Sequence, residues 1–342
     1  MRKIPVGILG VTGMVGQRFI TLLNNHPWFE VVAVAASPRS AGKIIANLTI
    51  QAVKSDIDKI AQKVRLVFCA LEMEKEKIRE IENAYASCGI PVVSNNSAHR
   101  WTDDVPMIMP EINPLHLELI KYQQKNHGWT TGFVVVKPNC SIQSYVPMIT
   151  PLLKYGIRKV WVTTLQAVSG ASKTLENWPQ MQGNIIPQIE GEEEKSEQEP
   201  LKIWGEIKNN KVKLHGPKIS ATCIRVPVQD GHMASVSIAF DNKVSREQIL
   251  KEWKNFNPLK GLGLPSSPDP FITVMDNEDR PQTRLDRDLG VGMGISVGRL
   301  REDGERGYKF IGLSHNTIRG AAGGAILTAE LLKRKGFLNG KN

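Results

Sequence analysis

Short apolar runs recur through the first 140 residues, separated by stretches whose apolar positions return every three or four residues. Ile4–Leu9, Val31–Ala36 and Val64–Ala70 have strand length, and "IPVVSNN" and "FVVVKPNC" read the same way. Between them, Met14–Asn24, the charged "EMEKEKIREIENAYASCG" and Pro114–Asn126 carry helical spacing. Continuous apolar strands taking turns with helices predict an open parallel sheet covered on both faces. The acid-rich run Glu72–Glu82 then reads as a solvated helix face.

After residue 140 the strands become longer and alternate: "KVWVTTLQAVSG", "SATCIRVPV", "HMASVSIAF", "PFITVMD" and "VGMGISVGRL". This alternation predicts a mostly antiparallel sheet with one face buried, interrupted by a helix over Ser245–Asn255. On composition alone, "GEEEKSEQEPLKIWGEI" reads as a solvated loop and helix, and Ala325–Lys335 as a closing helix.

Gly10, Gly13 and Gly16 in "VGILGVTGMVGQRF" follow the first strand and open the first helix. That context suits a dinucleotide: a tight turn, a bare backbone beside the diphosphate, and N–H groups at a helix start. The fold class expected is therefore α/β, with a Rossmann-type dinucleotide-binding domain followed by an α+β catalytic domain. The second strand ends in "AASPRSAGK", where Ser37, Arg39 and Ser40 stand in place of the acid that NAD-specific proteins place near the ribose. Arg39 can pair with a 2′-phosphate, so NADP is the expected cofactor, with NAD possible. A second glycine series, Gly290, Gly292 and Gly294, falls within an alternating strand and predicts close backbone approach, not a cofactor site.

The 342 residues carry a net charge of +10, with Lys and Arg dispersed and only five Tyr and nine Phe available for base stacking. This excludes nucleic acid as the expected partner and points to small anions. The four cysteines lie far apart, with no Cys/His cluster at metal-ligand spacing, so neither a bound metal nor a disulfide framework is expected. No stretch has the charged and apolar layout of a signal peptide, and none has the roughly 18 apolar residues of a membrane span. A cytoplasmic protein is expected.

"VVVKPNCSIQSYVP" ends a strand at Lys-Pro-Asn and delivers Cys140 where helical spacing resumes. A helix N-terminus favours a thiolate there, although a buried free cysteine is also a common apolar filler. Thiolate addition to an acyl or aldehyde carbon, with hydride exchange at a nicotinamide, requires a proton-handling group. Among seven histidines, His232 lies between two strands, seven residues after Arg225.

The motifs "GxTGxVGQRF", "ASxRSAGK", "VSNNSxxR", "PNCS", "LQAVSGA", "GEEEK", "RVPVxxGH" and "NTIRGAAGG" occur in one order along nearly the whole chain. In this the sequence resembles the aspartate-β-semialdehyde dehydrogenases, in the branch typical of archaea and fungi. The resemblance implies NADPH-dependent reductive dephosphorylation of β-aspartyl phosphate to aspartate semialdehyde, the branch step toward lysine, methionine and threonine. It implies Cys140 as nucleophile, His232 as acid–base residue and Gln166 as the residue orienting the acyl intermediate. Arg225 would pair with the substrate α-carboxylate and Glu192, or its neighbour Glu193, would face the ammonium. Lys195, Arg100 and Asn96 would face the phosphate. Thr12, Met14, Val15, Leu71, Ser169, Gly170 and Asn316 would join the glycines and Ser37, Arg39 and Ser40 around the cofactor. It further implies a cofactor domain of residues 1–139 plus 316–342, a catalytic domain of 140–315, and a homodimer or homotetramer. An acyl-CoA reductase such as malonyl-CoA reductase and a non-catalytic NADP-binding protein are the alternatives.

Overall fold

The structure, a computed structural model, describes residues 2–304 and 307–338. Seven strands form the first sheet: β1 (Ile4–Leu9), β2 (Phe29–Ala36), β3 (Ile44–Ile45), β4 (Leu48–Ala52), β5 (Leu66–Cys69), β6 (Val92–Ser94) and β7 (Val134–Val136). They lie in the order β3-β4-β2-β1-β5-β6-β7, parallel throughout except for the β3–β4 pair. The apolar runs are continuous because both faces are covered. On one face Ile8, Phe68 and Val135 pack with Ile326, Leu327 and Leu331 of the closing helix Gly323–Arg334. On the other, Val67, Val92 and Val134 pack with Ile78, Ile81 and Tyr85 of helix Lys75–Ser87. The strand order reverses about β1, with β2 on one side and β5 on the other, which opens a crevice at their carboxyl ends.

The second sheet holds six strands. In chain order the second half contributes β8 (Ile157–Gln166), the separate hairpin β9 (Glu206–Lys208) and β10 (Lys211–Lys213), then β11 (Lys218–Arg225), β12 (His232–Phe240), β13 (Ile272–Met275), β14 (Ile295–Glu302) and β15 (Gly307–Ser314). The six lie in the order β11-β8-β12-β15-β14-β13, antiparallel in the middle and parallel in the two outer pairs. Alternation buries Val160, Val162, Thr164 and Gln166 of β8 on the inner face and turns Trp161 outward.

Three expectations are corrected. The segment after Cys140 is not one helix but a 3-10 turn (Ser141–Ser144), a single α turn (Val146–Ile149) and a second 3-10 stretch (Thr150–Tyr155). Pro147 and Pro151 lack the N–H that a continuous ladder needs. The polar stretch forms helix Glu192–Ile203, whose Glu192, Ser196 and Glu199 are buried. Gly290 and Gly292 occupy a turn before β14, with φ of +58° and +76°, and are not part of a strand. Central strand β15 was not apparent because glycines interrupt its apolar pattern. Gly312 is required there, since a Cβ would lie 2.0 Å from Ser144 O.

Candidate active site

Strand register assembles the site. Arg225 pairs with Gln166 across β11 and β8, while His232 begins β12 opposite Ser314 of β15. Inner-face positions then place Gln166, Arg225 and His232, all buried, at one end of the sheet. Above them, the chain leaving β7 through Lys137-Pro138-Asn139 delivers Cys140, whose Sγ lies 3.4 Å from His232 Nε2. Part of the Cys140 surface stays open.

The Ala167 N–H donates to His232 Nδ1 at 3.1 Å, which leaves the ring proton of the neutral imidazole on Nε2, facing the sulfur. Burial, followed by the charges of Arg225 and His315, pushes His232 down to about 3. In this arrangement His232 is a neutral ring that presents Nε2–H to the Cys140 sulfur. Burial, then Glu192, pushes the Cys140 thiol up to about 11, against the pull of Lys137, Arg100 and Arg225. The expectation that a helix start favours the thiolate is corrected: the element is a four-residue turn, and burial outweighs its dipole.

Glu192 accepts from Asn139 Nδ2 at 3.0 Å, from Gln166 Nε2 at 3.3 Å and from Lys195 Nζ at 2.8 Å. Glu193 instead accepts from the Cys223 N–H on β11. Arg225 spends Nη1 on Ala167 O, and the rest of its fork has no hydrogen-bond partner among the described residues. Gly170 makes room for both neighbours, since a Cβ there would lie 2.8 Å from Arg225 Nη1 and 3.0 Å from the His232 ring. A carboxylate and an open guanidinium edge beside one sulfur suit a zwitterion carrying an electrophilic carbon.

At the expected phosphate end the side chains already have protein partners. Asn96 Nδ2 donates to Cys69 Sγ and Glu82 Oε1. Arg100 is held by Lys137 O, Glu199 Oε1 and Asn95 O. Asn139 and Glu199 were missed in the sequence. The Asn139 N–H donates to Glu199 at 2.6 Å, and Asn139 Oδ1 accepts from Ser141. Helical spacing could have found Glu199, seven residues after Glu192 on the same buried face.

The glycine turn fits a dinucleotide. Gly10 has φ +89° and a Cβ there would lie 2.1 Å from Ala70 O, while one on Gly16 would lie 2.2 Å from Gly10 O. At Gly13 the nearest protein atom would be 3.5 Å away, which leaves that position open for a diphosphate. Helix Met14–Leu23 has no side-chain N-cap and no acid in its first turn, so the N–H groups of Met14, Val15 and Gly16 remain available to an anion. Thr12, Ser37 and Arg39 are exposed at the mouth, Ser40 is half-buried, and residues 31–55 contain no acid. Leu71 is buried in the core, so only its main chain is available to the crevice. Asn316 commits its side chain to the Gly231 N–H and Ser169 Oγ. The turn Val168–Ala171 joins the two regions, with Ser172 Oγ donating to Glu72 at 2.7 Å near the glycine loop.

Comparison with known proteins places this geometry. Residues 5–120 match the family model described as semialdehyde dehydrogenase, NAD binding domain, and residues 149–319 match semialdehyde dehydrogenase, dimerisation domain. The aspartate-semialdehyde dehydrogenase of Archaeoglobus fulgidus is 46% identical, over 96% of this chain and 98% of its own length. That of Saccharomyces cerevisiae is 40% identical, over 97% and 98%. The chain belongs to the aspartate-semialdehyde dehydrogenase family. A crystal structure of the family member from Candida albicans with NADP superposes with a TM-score of 0.86, at 36% identity over 98% of this chain and 100% of that one. The first matched region takes in β1, apart from Ile4, to β6 of the first sheet, the second takes in β8–β15, and β7 lies between the two.

Proposed function

We propose that this family member catalyses NADPH-dependent reduction of β-aspartyl phosphate to L-aspartate 4-semialdehyde through a thioester on Cys140, a step of amino-acid biosynthesis. The observation that carries the reading is the 3.4 Å Cys140–His232 contact beside Glu192 and Arg225, at the edge of the glycine crevice. Arg225 offers its open fork to the α-carboxylate and Glu192 faces the ammonium. Malonyl-CoA has no ammonium for Glu192 to meet, which disfavours the acyl-CoA alternative.

The Cys140 sulfur attacks the acyl carbon, the C–O bond to phosphate breaks, and the thiol proton leaves with the phosphate, giving thioester and hydrogen phosphate. Lys195 and Arg100 are the cations nearest the leaving group in this reading. The glycine turn, the N–H groups of Met14 to Gly16, and Arg39 hold the dinucleotide, which when bound supplies a hydride. Thioester plus hydride yields aldehyde plus thiolate with no net change of protons. His232 Nε2–H therefore needs only to donate to the oxygen as it becomes negative. Gln166 orients the acyl group from the sheet edge.

We assign residues 1–139 and 316–342 to cofactor binding and 140–315 to catalysis and assembly. The protein acts in the cytoplasm as a homodimer or homotetramer; its free cysteines fit a reducing compartment, and among the described residues no helix is long and apolar enough to cross a membrane. The outward face of the second sheet supports assembly: Trp161, opposite Ser237, is 43% exposed there, the Leu165–Met233 pair lies further along the same face, and the covering elements lie on the inner face. The test is phosphate-dependent reduction of NADP with aspartate semialdehyde, abolished in Cys140→Ala. Turnover of malonyl-CoA without aspartyl phosphate would overturn the reading.

A further inference from the structure

Glu199 is fully buried in the interior of helix Glu192–Ile203, where neither capping nor the helix dipole calls for an acid. Both of its oxygens are in use, and both uses lie in the site. Oε1 accepts from Arg100 Nη1 at 2.8 Å and Oε2 from the Asn139 N–H at 2.6 Å. One carboxylate thus joins a cation of the expected phosphate end to the main chain one residue before Cys140.

The connection closes on itself. Arg100 Nε donates to Lys137 O at 3.0 Å, so Arg100 and Glu199 together bridge Lys137 O to the Asn139 N–H across Pro138. Arg100 Nη2 donates to Asn95 O at 3.3 Å. These contacts leave one N–H on Nη1 and one on Nη2 for an anion. Among the described residues no other carboxylate pairs with Arg100. The same helix also grips the Asn139 side chain, whose Nδ2 donates to Glu192 at 3.0 and 3.1 Å. Glu192 and Glu199 lie about 10 Å apart along the helix axis. A single rigid element therefore carries the acid of the ammonium end and the acid that fixes the phosphate end, with Asn139 held by both.

We propose that Glu199 is a positioning residue for phosphate: it holds the Arg100 guanidinium in register with the Cys140 main chain, so that the free Arg100 N–H groups meet the leaving group of a substrate whose carbon is at the sulfur. This rests on the reading of Cys140 as nucleophile and of Arg100 as a cation of the phosphate end.

The test is steady-state kinetics of phosphate-dependent NADP reduction with aspartate semialdehyde. Glu199→Gln keeps the size but has one acceptor oxygen where two are needed, so one of the two contacts is lost. Its KM for inorganic phosphate should rise about tenfold, the loss of one hydrogen bond to a charged group, while KM for aspartate semialdehyde and for NADP stay within about twofold. A general loosening of the fold would not single out phosphate. An unchanged KM for phosphate, or three constants that rise together, overturns the proposal. Arg100→Lys should raise the same constant, because a point charge cannot replace the fork. If Glu199 acts through Arg100, the double variant has the phosphate KM of Arg100→Lys alone, and a further rise overturns the proposal. Arg100→Lys with a wild-type KM for phosphate would instead remove the reading of Arg100, and the proposal with it. Should Glu199→Gln be insoluble, Glu199→Asp, one methylene too short to reach both partners, is measured in its place against the same outcomes.

Discussion

His232 receives the Ala167 N–H on Nδ1 and so presents Nε2–H to Cys140. If that N–H serves only to stabilise a developing oxyanion, its loss and its replacement should differ. His232→Ala should lower kcat by about 100- to 1,000-fold, the range for a lost oxyanion donor. His232→Gln should lose less, because a side-chain amide can still donate. Steady-state kinetics on both checks this, and equal losses would favour a base over a donor. Cys140, His232, Arg225, Gln166 and Glu192 were all legible in the sequence, each inside a short motif. Asn139 lay in the quoted stretch yet read only as part of a turn. Its meaning comes from Glu192 and Glu199, more than 50 positions away, which local spacing cannot reveal.

Elements show the same division between local and distant causes. The strand–turn–helix at Gly10–Gly16 was readable because every requirement is local, and the three glycines there separate by role. Gly16→Ala would drive a Cβ to 2.2 Å from Gly10 O and should destabilise the fold by about 1–3 kcal/mol. Gly13→Ala meets no protein atom nearer than 3.5 Å, so it should keep wild-type thermal stability while raising the KM for NADPH. Thermal melts and cofactor titrations distinguish them; a stability loss at Gly13 equal to that at Gly16 would contradict the assignment. Helix Glu192–Ile203 escaped a composition reading because its buried face is polar, made of Glu192, Ser196 and Glu199. Such a face is stable only when its partners are in place, here Asn139, Gln166, Arg100 and Lys195. Strand β15 escaped for the opposite reason: Gly312 answers a close approach by Ser144 that lies outside any local window.

At the scale of the molecule, the two sheets were predicted, and how copies associate is left to the outer face of the second. Trp161→Glu should shift the protein to monomer, read by light scattering, while far-UV circular dichroism stays as in wild type. Buried titrating groups set the pH response. Burial holds His99 down to about 4 and His232 down to about 3. Unfolded histidines take their proton near 6.5, so unfolding binds protons between 6.5 and those values, and stability falls as pH falls through that window. Glu82 opposes this. Burial pushes it up to about 7 from 4.5, so the folded chain keeps a proton that the unfolded chain releases, and stability falls as pH rises from 4.5 to 7. Glu82→Gln should therefore raise the urea midpoint relative to wild type more at pH 8 than at pH 4.5; the reverse order would contradict the sign.

The chemistry depends on carbon bonded to one sulfur. Protein mixed with NADP and aspartate semialdehyde without phosphate, quenched in acid and digested, should carry an aspartyl group on the peptide containing Cys140. No adduct, or one on Cys69, Cys88 or Cys223, would contradict the mechanism.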